Sequence, residues 1–195
     1  MEKINADKAL EKLLAGNKRF MSKNFYHPNQ TKERQKEVIR EQSPFAAILG
    51  CSDSRVPPEI IFDQGIGDLF VIRIAGNILS DAIKGSMEYA AGYLHVKLII
   101  VLGHSNCGAV SAAITRGELY FNITSIVNYI LPSVQKAKDM NGNFHENTIK
   151  LNILKSVEQL KKTPPILNKL SEQGEIKITG AYYDLESGSV EIIHT

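Results

Sequence analysis

The sequence predicts an α/β domain: a mostly parallel central sheet with an antiparallel edge strand, flanked by helices and preceded by an N-terminal helical arm. Three observations carry this. Short apolar runs, "SPFAAILG", "DLFVIRIAG" and "VKLIIVLG", alternate with stretches of helical pattern. These runs are apolar at successive positions, as expected of parallel strands covered on both faces. The tail "EIKITGAYYDLESGSVEIIHT" reads as a strand, a turn at "ESGS" and a final edge strand.

In chain order, "ADKALEKLLAGNKRF" sets Ala6, Leu10, Leu13, Leu14 and Phe20 near a helical period, with Gly16 as an interruption or end. A basic helix follows and ends near Gln42. After the first strand, the prolines of "PPEIIFDQG" suit a first helical turn, and the segment closes at Gly65. Ser80 caps the small-residue helix "SDAIKGSMEYAAGYLH", and "GAVSAAITR" makes a short helix after the third strand. Beyond Leu119 the chain is mainly helical to about Ser171, broken at "NGN" and "TPP".

Length and composition bound the rest. The chain has 195 residues, 43% hydrophobic and 23% charged. A single domain of this size buries roughly 70% of its unfolded surface and needs no metal or disulfide merely to hold together. No repeat, low-complexity stretch or linker divides residues 1–195, so residues 1–43 form the arm and residues 44–195 the core of one domain. A net charge of +2 gives no pull toward nucleic acid or an acidic membrane. The basic stretch "KNFYHPNQTKERQKEVIREQ" mixes in acids at helical spacing, as a solvated helix face does. No run approaches a membrane span, and the acids in "MEKINADKALEKLL" do not suit a signal peptide. The expected compartment is the cytoplasm, where the sequons at Asn29 and Asn122 are chance and the two cysteines stay reduced. Metal binding or catalysis is then the better use of those cysteines.

The chemistry gathers at two strand ends. In open parallel sheets, ligands bind beyond the carboxyl ends of the strands. Cys51 follows the strand ending at Gly50, in "GCSDSRVPPE", and "GHSNCG" follows the strand ending at Gly103. If those strands are adjacent and parallel, Cys51, His104 and Cys107 meet at one edge. Two sulfurs and one imidazole suit zinc, and three protein ligands leave a position for water or substrate, as catalytic sites do. Asp53, two residues from a ligand, is the alternative occupant of that fourth place. Arg55 is positioned to hold Asp53 in a bidentate fork. Ser54 is expected to brace the turn, and Gly103 and Gly108 to permit a tight strand-to-helix passage. The amide of Gly108 opens a helix toward the substrate.

"CSDSRVPPE" together with "GHSNCGAV" resembles the β-class carbonic anhydrases, and the likeness extends to "QSPF", "GDLFVIRIAGN", "GSMEYA" and "GAYYD". The resemblance implies one zinc per subunit on Cys51, His104 and Cys107 and an Asp53–Arg55 dyad. It implies reversible hydration of carbon dioxide to bicarbonate and a proton, by attack of zinc-bound hydroxide. Members occur in open and closed states, the closed one having Asp53 on the metal. By similarity to the plant-type branch, Gln42 donates to a substrate oxygen while Phe70, Ala75 and Tyr89 line the pocket, some of them offered by a neighbouring subunit. The family also implies self-association as a dimer or tetramer, with the N-terminal helices embracing a partner.

Two departures and two rivals stand beside this reading. Another branch uses a tryptophan three positions before the first cysteine in a bicarbonate effector site; this chain has Ile48 there and no tryptophan. His27, His95, His145 and His194 match nothing in the metal pattern and stand as proton-shuttle candidates without a signal among them. Related enzymes use the same ligands to hydrolyse carbon disulfide or carbonyl sulfide. A zinc-stabilised or thiol-redox binding protein without catalysis is the rival from another class.

Overall fold

The computed structural model describes residues 4–117 and 121–193. Five strands form one sheet in the order β2-β1-β3-β4-β5: β1 (Ala46–Gly50), β2 (Leu69–Arg73), β3 (Leu98–His104), β4 (Lys177–Tyr183) and β5 (Val190–Ile193). The first four run parallel, and β5 returns antiparallel along β4. The "ESGS" turn makes that return, its Ser187 amide and hydroxyl both donating to Asp184 Oδ1 at 2.7 Å.

Alternation along the strands sorts residues to two faces. Ala47 and Leu49 of β1 and Ile99 and Val101 of β3 join the larger core, under α4 (Asp81–Gly92), α5 (Gly108–Thr115), α6 (Ile123–Ala137), α7 (Phe144–Lys161) and α8 (Ile166–Glu172). Ala46, Ile48, Leu98, Ile100 and Leu102 face the other way, under α1 (Ala6–Met21) and α3 (Pro58–Ile61). Hence β1 and β3 are buried throughout.

Several local expectations change. Helix α1 runs through Gly16 because glycine is needed there for contact: a Cβ would lie 1.7 Å from the Phe62 carbonyl oxygen. Part of the arm's apolar stripe packs on its own chain, with Ala9 and Leu13 fully buried against the sheet. Asn17 ties it down, donating to the carbonyls of Ile61 (3.2 Å) and Gly188 (2.9 Å) and accepting from the Val190 amide (2.9 Å). The basic helix α2 is only Lys32–Glu37 and stops well before Gln42. Its residues "KERQKE" bury nothing, and a short helix without an apolar face has little to extend it. Gly103 serves packing: a Cβ would stand 2.5 Å from Ile153 Cδ1, and at Gly180 on the next strand 2.6 Å from Ile153 Cγ2. Ile153 thus seats α7 directly on β3 and β4. Among the described residues no helix is long and apolar enough to cross a membrane.

Candidate metal centre

Strands β1 and β3 pair in parallel, Gly50 opposite Leu102, so their carboxyl ends open side by side. Cys51 leaves β1, His104 closes β3, and Cys107 stands at the N-cap of α5. Their ligand atoms all lie within 4.8 Å of one another, and all three residues are buried. This is the convergence expected from two motifs 53 positions apart.

The donors fit zinc on chemical grounds. His104 Nδ1 stands 2.8 Å from the Ser105 carbonyl oxygen, which can only accept, so Nδ1 carries the proton and Nε2 keeps its lone pair. That Nε2 is buried without a hydrogen-bond partner. A fully buried polar nitrogen left unpaired is costly and points to a ligand role. The two thiols bear on each other. A hydrogen bond from Cys107 is the largest influence holding the Cys51 thiol down, with His104 and the amides of Asp53 and Gly76 adding to it against the cost of burial. Cys107, the donor in that bond, is pushed up. Zinc held by these residues would take the place of the thiol protons. Two thiolates and one neutral imidazole would then make a three-ligand set that leaves a place for water.

The loop after Cys51 is organised by Asp53. Its Oδ1 accepts from the Arg55 amide at 3.0 Å and from Arg55 Nε at 2.9 Å, while Oδ2 accepts from Nη2 at 2.8 Å. The Asp53 carboxylate, not Ser54, therefore braces the turn, aided by the Val56 amide on the Asp53 carbonyl at 3.0 Å. The Arg55 fork holds the Asp53 carboxyl well below the usual carboxylate range. Arg55 Nη2 also reaches the Asn106 carbonyl at 3.4 Å, joining the two motif loops. Asp53 Oδ2 lies 3.9 Å from His104 Nε2.

Of the expected substrate groups, Gly108 opens α5 with free space where a Cβ would stand. Ala75 adjoins Gly76, whose amide donates to Cys51 Sγ at 3.3 Å. The other three are not brought onto the ligand trio of their own chain. Phe70 pairs with Ala47, four residues upstream of Cys51. Tyr89 is 44% exposed and sits 6.2 Å from the Phe70 ring, and Gln42 is exposed. Among the described histidines outside the trio, His145 is the one tied to it by hydrogen bonds: its Nε2 lies 2.9 Å from Ser111 Oγ, which donates to the Cys107 carbonyl at 3.2 Å. Burial, then the nearness of His104, pushes its pKa down. His27 stacks on Phe25 in the arm, His95 lies in the turn before β3, and His194 lies outside the described residues.

Sequence reasoning missed two further supports. Arg73 ends β2 opposite Gly50, and its guanidinium donates to the carbonyls of Cys51 (3.0 Å) and Asp53 (2.6 Å). A lone cation closing an apolar run was its only signal. Gly76 takes φ +69, and its carbonyl accepts from Asn152 Nδ2 at 2.9 Å.

Comparison with known proteins agrees with this geometry. The carbonic anhydrase family model matches residues 46–190. A carbonic anhydrase of Mycolicibacterium smegmatis is 37% identical over 196 residues, covering 98% of this chain and 95% of its own length. Carbonic anhydrase 2 of Mycobacterium tuberculosis is 36% identical over 192 residues, covering 96% and 93%. Among solved structures, the β-carbonic anhydrase CcaA superposes with a TM-score of 0.75 at 28% identity, covering 95% of each chain. A chain from the tetrameric β-carbonic anhydrases of Sordaria macrospora shares the fold, with a TM-score of 0.74 at 23% identity over 97% and 95% of the two chains. With its Cys-His-Cys cluster at the mouth of the shared sheet, the chain belongs to the β-class carbonic anhydrases, zinc-dependent enzymes that interconvert carbon dioxide and bicarbonate.

Proposed function

We propose that Cys51, His104 and Cys107 hold the zinc of this carbonic anhydrase, and that Asp53 and Arg55 are its catalytic pair. The observation that carries the reading is the unpartnered Nε2 of His104 within 4.8 Å of both sulfurs. Zinc, when bound, supplies a Lewis acid that lowers the pKa of a water and makes a nucleophile near neutral pH. The chain's residues do the rest. Asp53 remains an anion at working pH and offers Oδ2 on the His104 side of the loop as a hydrogen-bond acceptor for the attacking water. Arg55 fixes both carboxylate oxygens and keeps Asp53 from becoming a fourth ligand. The fork on Asp53 supports the open state as the resting one in this reading. Gly108 and Ala75 border the reacting position, the first presenting an amide at a helix start and the second an apolar wall.

Gln42, Phe70 and Tyr89 complete the pocket of a neighbouring subunit in this reading, so that the enzyme works as a dimer or tetramer. The exposure of Gln42 and Tyr89 supports it, as does the aromatic face continuing through Tyr93, which is 72% exposed and stacks on Tyr89 at 5.5 Å. The Sordaria macrospora relatives are described as tetrameric. The whole chain acts as one domain, arm 1–43 with core 44–195. Reduced thiols, which the site requires, suit the cytoplasm.

Stopped-flow hydration of carbon dioxide tests the catalytic pair. Asp53→Asn at full zinc occupancy is expected to lose roughly 10²-fold or more in kcat. Wild-type rates in that variant overturn the assignment.

A further inference from the structure

Cys51 receives a hydrogen bond from outside its own loop, the Gly76 amide at 3.3 Å from Sγ. That amide sits at a corner where two consecutive residues, Gly76 and Asn77, take φ of +69° and +43°. Such a conformation persists only where the surroundings hold it. The holder is α7. Asn152, 1% exposed, donates through Nδ2 to the Gly76 carbonyl at 2.9 Å, and one helical turn later Ser156 Oγ donates to the Asn77 carbonyl at 3.3 Å. A carbonyl only accepts, so the Asn152 amide has one usable orientation here. Ile153 locks α7 against Gly103 and Gly180, which fixes where Asn152 reaches.

We propose that Asn152 is a positioning residue for the metal centre: by gripping the Gly76 carbonyl it sets the torsions that aim the Gly76 N–H at Cys51 Sγ, and so sets how strongly that sulfur donates to the metal. The inference rests on the reading of Cys51 as a zinc ligand. An N–H bond to a thiolate withdraws electron density from sulfur and leaves the metal more electrophilic, as outer partners of metal ligands do. Without Asn152, glycine at the corner is free to turn its amide away, and Cys51 becomes the stronger donor.

The test uses the full chain with Asn152→Leu, similar in size and without a donor. In the cobalt(II)-substituted protein the thiolate-to-cobalt absorption band moves to longer wavelength. In the zinc form the pH–rate profile of hydration moves to higher pH, and kcat near neutrality falls roughly tenfold. Asn152→Ala, which also removes the donor, gives the same displacement should the leucine variant fail to fold. Thr148→Val is the structural control: Thr148 is fully buried on the same helix and its Oγ1 donates to the Phe144 carbonyl at 2.8 Å. It loses stability while keeping the wild-type band and profile. Asn152 variants whose band and profile coincide with the wild type overturn the inference. A wild-type cobalt protein with no thiolate band at all overturns instead the reading of the ligands.

Discussion

Asp53 Oδ2 stands 3.9 Å from His104 Nε2, the imidazole nitrogen that has no hydrogen-bond partner. The same oxygen accepts from Arg55 at 2.8 Å. The guanidinium holds both carboxylate oxygens beside the ligand trio. In the proposed reading, this charge pair decides whether the fourth metal position is open.

Replacing Arg55 by Lys tests that claim, because an ammonium is a point charge and cannot reproduce the two parallel bonds of the fork. Arg55→Lys is expected to keep its zinc and to lose roughly tenfold to hundredfold in kcat. Metal analysis beside stopped-flow kinetics checks both. Unchanged kcat would reduce the pair to an ordinary loop tie.

Removal of a ligand separates an enzyme from a merely metal-stabilised protein. Cys51→Ser and His104→Ala should each lose bound zinc and turnover together, read by metal content and hydration rate on the same sample. Folded, zinc-loaded and fully active variants would exclude those residues as ligands.

Much of this site was legible because its residues belong to short motifs at strand ends. "GCSDSR" and "GHSNCG" each follow a buried apolar run, and parallel pairing of β1 with β3 does the rest. What escaped was held by long-range partners. Nothing in the spacing of Asn152 within "KLNILK" announces that it meets Gly76, 76 positions away. Gly103 was read for backbone freedom although its role is to admit Ile153. The end of α2 was misjudged because charged residues at helical spacing do not show whether a face has anything to cover.

The Asp53 carboxyl also leaves a mark on stability. Its folded pKa lies below the unfolded value of about 3.9, so its contribution is fully present above that value and is lost as pH falls through the folded one. Arg55 is 55% exposed, so the contribution is small. In urea titrations of metal-free protein, the gap between wild type and Asp53→Asn should be constant above about pH 5 and narrow below about pH 4. A gap that closes between about pH 7 and about pH 5 contradicts the depressed pKa.

Close packing of α7 predicts a coupled pair. Gly103→Ala forces a methyl against Ile153 and should cost about 1–3 kcal/mol. Ile153→Ala alone leaves a cavity and costs about 2–5 kcal/mol. The double variant should be more stable than the sum of the two losses implies. Strict additivity in chemical denaturation would show that the two residues do not press on each other.

The ligand set itself is read most directly by X-ray absorption at the zinc edge of the purified, zinc-loaded protein. The account predicts two sulfurs at about 2.3 Å and one imidazole nitrogen at about 2.0–2.1 Å, with a single further oxygen neighbour. A first shell of nitrogen and oxygen alone, or one with four sulfurs, would contradict it.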